Sequence, residues 1–147
     1  MKKTSVLLFV IITLVQTSCQ EYSYIENELH GLWQITTVED KTTAEITEAQ
    51  GDLYYSFQRN MVIVSYKYPT KPTGLMMTQY NSDFFLEGDS IHINDFRLYQ
   101  EYDKKAPLQE LKKFGIHGER TAFHINRTNR KSMILESDLS KVSLRKY

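Results

Sequence analysis

The sequence predicts an all-β fold: an antiparallel up-and-down barrel of about eight short strands, with one short helix before the last strands. Ten Tyr and seven Phe occur among the 147 residues, and aromatic residues favour strands. The predicted strands follow one another through short polar turns, as they do in antiparallel hairpins. Only one segment has a helical pattern, whereas a parallel sheet would need a helix between successive strands. A sandwich of two sheets is the alternative that this strand pattern leaves open.

The first half of the chain begins with an alternating strand that contains the only tryptophan. The alternation in this strand predicts that Trp33, Ile35 and Thr37 lie on one face, because successive side chains point to opposite sides of a strand. A polar segment over residues 40–52 follows and ends in Gly-Asp, which predicts a loop with room for one helical turn. Two further strands are joined by a tight turn at residues 58–60. The predicted strands of this half are residues 32–38, 53–57 and 61–68.

The second half of the chain resumes the strand pattern after an interruption by two prolines and a glycine at residues 69–74. Residues 75–93 predict a strand, a break at residues 81–83, and a hairpin that turns at residues 87–89. Three more strands close the chain, with a turn at residues 129–131 between the first two. These last predicted strands are residues 121–127, 132–138 and 141–147.

Residues 106–116 (APLQELKKFGI) form the one predicted helix. Pro107 suits the first turn of a helix, where its missing N–H is not needed. Gly115 is the predicted stop, because glycine readily adopts the conformation that ends a helix. The apolar residues that share one face of this helix are Leu108, Leu111 and Phe114.

Strand alternation also assigns the residues that would line the interior of a barrel. If the face of Trp33 points inward, the more apolar set of each following strand points inward as well. The result is an apolar wall with a few hydroxyl groups, which is the lining expected of a small-molecule pocket. The same residues would equally make an ordinary packed core. The predicted ligand-binding residues are Trp33, Tyr55, Phe57, Val64, Tyr66 and Phe123.

The N-terminal segment, residues 1–18, is predicted to be a signal peptide that is removed. Two lysines precede a mostly apolar run at residues 6–15, which is about half of the roughly 20 residues that a membrane-spanning helix needs. The small residues Thr17 and Ser18 stand directly before Cys19, the only cysteine. A lone cysteine cannot form an internal disulfide. A simple secreted protein, cut near Ser18 and with an incidental cysteine, is the alternative.

These residues resemble the lipobox of bacterial lipoproteins, with Cys19 as the site of lipid attachment. The resemblance implies a diacylglycerol on the thiol and a further acyl chain on the amine, and stable anchoring needs more than one chain. Residues 19–28 would then be a tether and residues 29–147 the folded domain. We expect a lipid-anchored protein of the cell envelope, in the outer membrane of a Gram-negative bacterium of the Bacteroidetes type, on its periplasmic side.

The first strand opens with residues 31–33 (GLW), which resemble the Gly-x-Trp signature of lipocalins. The tail, with LKKFGI, AFHINRTNRKSMIL and KVSLRKY, resembles lipocalin-like lipoproteins of Bacteroidetes. The resemblance implies an eight-stranded barrel in which Trp33 plugs the closed end. It also implies that a basic residue of the last strand, Arg145, packs against this tryptophan. A barrel of eight strands is wide enough to be filled by side chains or to hold one small ligand.

The charge and motif content excludes several classes of function. Lys and Arg number 18, as do Asp and Glu, and no basic cluster of the kind that binds nucleic acid occurs. None of the four histidines has a partner at the i, i+4 spacing of a helical zinc site. No nucleophile elbow, P-loop or dinucleotide fingerprint is present. The sequence therefore predicts no catalytic residue, no metal and no cofactor.

Two functions agree with these expectations. The first is a binding module, in which an anchored barrel holds a small apolar or amphipathic molecule. The second is a non-enzymatic interaction or structural lipoprotein with a filled barrel and a surface protein partner, since tyrosine is enriched at protein interfaces. An open apolar cavity in the barrel favours the first function, whereas a packed centre with an exposed aromatic patch favours the second.

Overall fold

The structure is a computed structural model that describes residues 28–70 and 74–147. The described part consists mainly of strands, and a short helix lies late in the chain. The strands are β1 (Gly31–Asp40), β2 (Glu45–Glu48), β3 (Leu53–Gln58), β4 (Met61–Thr70), β5 (Gly74–Glu87), β6 (Ser90–Ile93), β7 (Arg97–Leu98), β8 (Glu101–Lys105), β9 (Thr121–Asn129), β10 (Ser132–Glu136) and β11 (Ser140–Lys146). The helix α1 (Leu108–Leu111) continues into a turn of 3₁₀ helix at Lys112–Phe114.

Eight of the strands close into a barrel in which every neighbouring pair is antiparallel. They follow one another in chain order, β1–β3–β4–β5–β6–β9–β10–β11, and the pairing of β11 with β1 completes the ring. The predicted up-and-down barrel of about eight strands is confirmed, and the sandwich alternative is excluded. Closure gives every strand of the ring a paired neighbour on both sides, so the barrel has no edge strand.

Three short strands lie outside the ring. β2 pairs with the last part of β1, at Thr37–Asp40. β7 pairs with Tyr80 and Asn81 of β5, and β8 then pairs with β7. Each of these strands extends the sheet locally without changing the order of the barrel.

The antiparallel order gives the barrel two distinct ends. Near one end Trp33 of β1 pairs with Lys146 of β11, and this end is called the Trp33 end. At the other end Asp40 of β1 pairs with Ser140 of β11, and this end is called the mouth. The 3₁₀ turn and the residue after it are hydrogen-bonded to strands that begin at the mouth, as described below.

The structure corrects the prediction that residues 40–52 form a loop. Within this segment β2 pairs with the part of β1 that extends beyond its pairing with β3. All four residues of β2 are exposed, so the strand has no buried face to impose an apolar alternation on its sequence. Backbone pairing with a free strand edge, rather than side-chain burial, forms this element.

The predicted break at residues 81–83 is also wrong, because β5 runs through them without interruption. Their polar side chains are typical of a turn, but their backbone is paired with neighbouring strands. Asn81 lies opposite Ile63 of β4 and opposite Arg97 of β7. β7 and β8 themselves were not predicted. They are two and five residues long and have no buried residues, so they carry no burial pattern.

The predicted helix at residues 106–116 is confirmed, although its regular part is shorter than the segment. Gly115 ends it with a φ of 76°, in the left-handed region that glycine adopts without steric cost. Leu111 and Phe114 are buried, as their position on one face predicts, whereas Leu108 is 44 % exposed. The apolar face of this element therefore begins one turn later than the sequence indicated.

Candidate ligand-binding site

Trp33 closes one end of the barrel. It exposes 2 % of its surface, and its indole Nε1 donates a hydrogen bond of 2.8 Å to the carbonyl oxygen of Leu29. The Nζ of Lys146 lies 5.1 Å from the centre of the indole ring, within the range of a cation–π contact. The same Nζ donates a hydrogen bond of 3.2 Å to the carbonyl oxygen of Glu28. The prediction that Trp33 is buried on the inner face of the first strand is confirmed.

The basic residue beside Trp33 is Lys146, not Arg145 as predicted. Trp33 and Lys146 lie opposite each other in the ladder of β1 and β11, and neighbouring residues of a strand point to opposite faces. Arg145 therefore lies on the outer face, where its guanidinium donates a hydrogen bond to the amide oxygen of Gln34. The prediction of a basic residue from the last strand is correct, but that residue lies one position later in the sequence than predicted.

The interior of the barrel is filled by side chains. Tyr55 and Phe57 stack there with ring centres 5.7 Å apart. The sixth predicted residue, Tyr66, is half-buried and packs against this core. The five predicted ligand-binding residues that expose at most 2 % of their surface are Trp33, Tyr55, Phe57, Val64 and Phe123.

Residues 111–116, called the plug, fill the mouth of the barrel. Their three apolar side chains are buried. The phenol of Tyr55 donates a hydrogen bond of 2.7 Å to the carbonyl oxygen of Phe114, and the Oγ of Ser140 donates one of 2.5 Å to the carbonyl oxygen of Gly115. Burial raises the pKa of Tyr55, because desolvation disfavours the phenolate. The hydroxyl therefore stays protonated and remains a donor to the plug.

An open cleft of about 540 Å³ lies at the mouth beside the plug. One side of it is formed by the end of β1, by β2 and by the residues that lead into β3; the other side is formed by the plug. Its volume falls within the range of about 300–1,000 Å³ that is typical of small-molecule sites. The apolar residues that form its floor are Val38, Ala49, Leu53 and Tyr66.

Tyr66 links the predicted site to the observed cleft. It is the one predicted ligand-binding residue that lines the cleft. Its ring lies under the Nζ of Lys113, 5.1 Å from the ring centre. The other five predicted residues share one filled interior beneath the cleft, and their contact with a ligand stays a prediction.

Charged side chains line the rim of the cleft. On the first side Asp40 is held by its own turn: its Oδ1 accepts hydrogen bonds from the N–H groups of Thr42 and Thr43, at 2.8 and 3.3 Å. The hydroxyl of Thr42 donates to the same oxygen, and these bonds lower the pKa of Asp40. On the second side Lys113 forms an ion pair of 2.7 Å with Glu110. The charged or titratable residues of the rim are Asp40, Glu45, Glu48, Asp52, Lys112, Lys113 and His117.

Sequence reasoning missed most of the residues that line the cleft. Glu45 and Glu48 lie on β2, whose residues are all exposed. Lys112 and Lys113 lie on the exposed face of the 3₁₀ turn. Exposed charges leave no periodic signal, since they are the usual residues of any solvated face.

Other chemistry-bearing groups are scattered. In the part of the chain that the structure describes, no three His, Cys, Asp or Glu side chains are close enough to hold a metal ion. His92 and His124 each lie 3.3 Å from one carboxylate, of Glu87 and Asp89 respectively. None of the described helices is both long and apolar enough to cross a membrane. Cys19 lies outside the described residues.

Comparison with known proteins identifies the family. Two solved structures have a similar fold. One is a lipocalin-like protein from Bacteroides uniformis, with a TM-score of 0.55 and 19 % identity over 82 % of this chain and 99 % of that one. The other is an uncharacterized protein from Bacteroides eggerthii, with a TM-score of 0.58 and 17 % identity over 81 % of this chain and 99 % of that one. No curated protein matches the chain. Because the family model described as a lipocalin-like domain matches residues 12–147, the chain belongs to the lipocalin-like domain family.

Proposed function

We propose that this protein is a non-enzymatic binding module that holds a small amphipathic molecule in the cleft at the mouth of the barrel. The observation that carries the proposal is the cleft itself, an open space of about 540 Å³ with an apolar floor and a charged rim. An eight-stranded barrel can hold one small ligand. Here the centre is occupied by the protein's own side chains, whereas a ligand can enter the space at the mouth without displacing them.

The floor and the rim together favour an amphipathic ligand. Val38 and Leu53 are largely covered, with 8 % and 7 % of their surface exposed, so a small apolar group is enough to complete their burial. Each 100 Å² of apolar surface that binding removes from water contributes roughly 2.5 kcal/mol to the free energy of binding. The entropic and desolvation costs of binding reduce this contribution. The charged rim stays in contact with water and suits the polar part of the same molecule.

A short nonionic amphiphile tests this site. We expect octyl glucoside, below the concentration at which it forms micelles, to shift the amide resonances of Val38, Leu53 and Lys112 in the mature chain with Cys19→Ser. Tyr66→Ala should weaken this binding about five- to tenfold, because a lost contact of about 1 to 1.4 kcal/mol corresponds to that change in affinity. The measurement is a titration followed by ¹⁵N–¹H correlation spectra.

Tyr102→Ala is the matched control for Tyr66→Ala. Tyr102 lies on β8, is 60 % exposed and does not line the cleft, so its loss should leave the affinity unchanged. Circular dichroism shows whether either variant has lost its fold. Resonance shifts that spare the cleft, or equal affinities of the folded Tyr66→Ala variant and the wild type, would contradict the proposed site.

We also propose that the domain is anchored by a lipid on Cys19, at the periplasmic side of the outer membrane of a Gram-negative bacterium. The support is the apolar run that ends in Thr17-Ser18-Cys19. Glu28 is the first residue that the structure describes, and its carbonyl oxygen is bound by Lys146 at the Trp33 end. With the anchor at Cys19, we expect the mouth to open away from the membrane.

Fatty-acid labelling tests the anchor. We expect radiolabelled palmitate to enter the wild-type protein in cells, and Cys19→Ala to abolish this labelling and leave an uncleaved or soluble protein. Ser18→Ala is the control, because it keeps a small residue before the cysteine and should be labelled normally. A wild-type protein that takes up no label would show that the cysteine is not acylated.

The filled centre of the barrel favours a second function, that of an interaction protein. Phe85 and Tyr102 are 51 % and 60 % exposed, and the Phe85 ring stacks on the outer face against His92 with centres 4.7 Å apart. Tyrosine and phenylalanine are enriched in protein interfaces. This function predicts that a surface protein co-purifies with the wild type and is lost from a Phe85→Ser variant, while no small amphiphile binds the cleft.

A further inference from the structure

The cleft at the mouth has groups of opposite charge on its two sides, and these groups do not pair with each other. The first side presents the carboxylates of Glu45, Glu48 and Asp52, and the plug side presents the ammonium group of Lys112. None of these four side chains has a hydrogen bond or an ion pair in the part of the chain that the structure describes. An apolar floor that includes Leu53 lies in the same cleft.

Two further charged side chains of the rim already have partners within the protein. The carboxylate of Asp40 accepts three hydrogen bonds within its own turn, from Thr42 and Thr43. The ammonium group of Lys113 is shared between Glu110, at 2.7 Å, and the ring of Tyr66. The charged or titratable side chains of the cleft that remain without a partner among the described residues are therefore three carboxylates on one side and, on the other, the ammonium group of Lys112 and the imidazole of His117.

We infer that the ligand of this cleft carries a cationic group at one end, an anionic group at the other and an apolar body between them. This inference rests on the proposed function and names the chemical class of its ligand. The cationic end lies against Glu45 and Glu48, the anionic end meets Lys112, and the body covers the floor. Molecules with this chemistry include ω-amino acids with a hydrocarbon chain and short apolar peptides with free termini.

The physical reason is electrostatic complementarity, which sets specificity more than total affinity. A simple anionic amphiphile would bring its charge close to three unpaired carboxylates, and a simple cationic one would leave Lys112 without a partner. A ligand with both charges satisfies each side. Because Glu45, Glu48 and Lys112 are exposed, each ion pair is expected to change the affinity only about two- to fivefold.

Four probes with the same chain length separate the contributions of the cationic end, the anionic end and the apolar body to the affinity. They are 8-aminooctanoate, octylammonium, octanoate and 1-octanol. Titration of the mature chain with Cys19→Ser, followed by the cleft resonances at pH 7, gives the four affinities. We expect 8-aminooctanoate to bind more tightly than octanoate, by about two- to fivefold, because its ammonium group adds the contact with the carboxylates. Trileucine, compared with 8-aminooctanoate, then distinguishes a peptide from an ω-amino acid as the better form of this ligand.

Charge-removing variants make the test specific. Lys112→Gln should weaken 8-aminooctanoate and octanoate by about two- to fivefold and leave octylammonium unweakened. The double variant Glu45→Gln and Glu48→Gln should weaken 8-aminooctanoate and octylammonium and spare octanoate. Lys131→Gln and Asp103→Asn, which remove exposed charges outside the cleft, should change none of the affinities.

The outcomes separate this inference from the proposed function. If 1-octanol or octyl glucoside binds in the cleft, but the charge-removing variants leave the affinities of all charged probes unchanged, the charge assignment is wrong and the binding site stands. If none of the probes shifts the cleft resonances of the folded protein, the proposed function fails together with the inference.

Discussion

Replacing Trp33 with alanine is expected to lower the free energy of unfolding by about 3 to 5 kcal/mol, the range for buried aromatic side chains. Trp33 exposes 2 % of its surface, so its removal leaves a cavity at the closed end and forfeits the burial of the ring. The hydrogen bond to Leu29 and the contact with Lys146 are lost as well. Domain stabilities are about 5 to 15 kcal/mol, so urea denaturation followed by far-ultraviolet circular dichroism should show a much earlier transition.

Two substitutions calibrate this result. Tyr102→Ala removes an aromatic side chain that is 60 % exposed, and its effect on the free energy of unfolding should stay within about 0.5 kcal/mol. Lys146→Met keeps most of the aliphatic stem and removes the charge above Trp33, which should cost about 0.5 to 1 kcal/mol. A loss of less than about 1 kcal/mol in Trp33→Ala would contradict the role of this residue in closing the barrel.

The inner face of the barrel could be predicted from the sequence because burial of one face imposes a period of two residues on a strand. Tyr55 and Phe57 on β3, Val64 on β4 and Phe123 on β9 were assigned inward from this alternation alone, and all four are buried. A shift of one residue would have turned each set outward. On β9 the alternation is strong because one side meets the core and the other meets water, whereas on β4 the outward-facing Ile63 and Ser65 are buried as well.

The pairing of β1 with β11 could not be predicted in the same way. The register between β1 and β11, which come from opposite ends of the chain, places Lys146 rather than Arg145 opposite Trp33. A bulge between Ile35 and Thr37 shifts that register within β1. Neither the register nor the bulge leaves a local signal in the sequence, since both are determined by backbone hydrogen bonds between distant segments.

The cleft was beyond sequence reasoning for a related reason. It forms where the end of β1, the short strand β2 and the plug meet at the mouth, and the plug is far from the other two segments in the chain. The exposed Glu45, Glu48 and Lys112 resemble any solvated charges until the fold places them around one space. Tyr66 was found because it continues the inward alternation of β4 to the edge of the core, where it becomes part of the cleft floor.

Replacing Gly115 with alanine is expected to lower the free energy of unfolding by about 2 to 5 kcal/mol. Gly115 has a φ of 76°, a left-handed conformation that costs a residue with a Cβ about 1 to 2 kcal/mol. Its Cβ would also overlap the Cγ2 of Val142 and lie 3.2 Å from the Oγ of Ser140, and such overpacking costs typically about 1 to 3 kcal/mol. Urea denaturation of the variant and of the wild type measures the difference.

Gly88→Ala separates the two causes. Gly88 has a similar φ of 60°, but an added Cβ there would have no atom within 4 Å, so only the conformational cost applies. Val142→Ala removes the methyl group that the new Cβ would meet, and Gly115→Ala should therefore cost less in that background than in the wild type, with the difference measuring the contact between the two sites. Equal decreases in the free energy of unfolding of Gly88→Ala and Gly115→Ala would show that the plug shifts to accommodate the added carbon. A larger loss at Gly115 is expected, because the hydrogen bonds from Tyr55 on β3 and Ser140 on β11 hold the backbone of the plug in place.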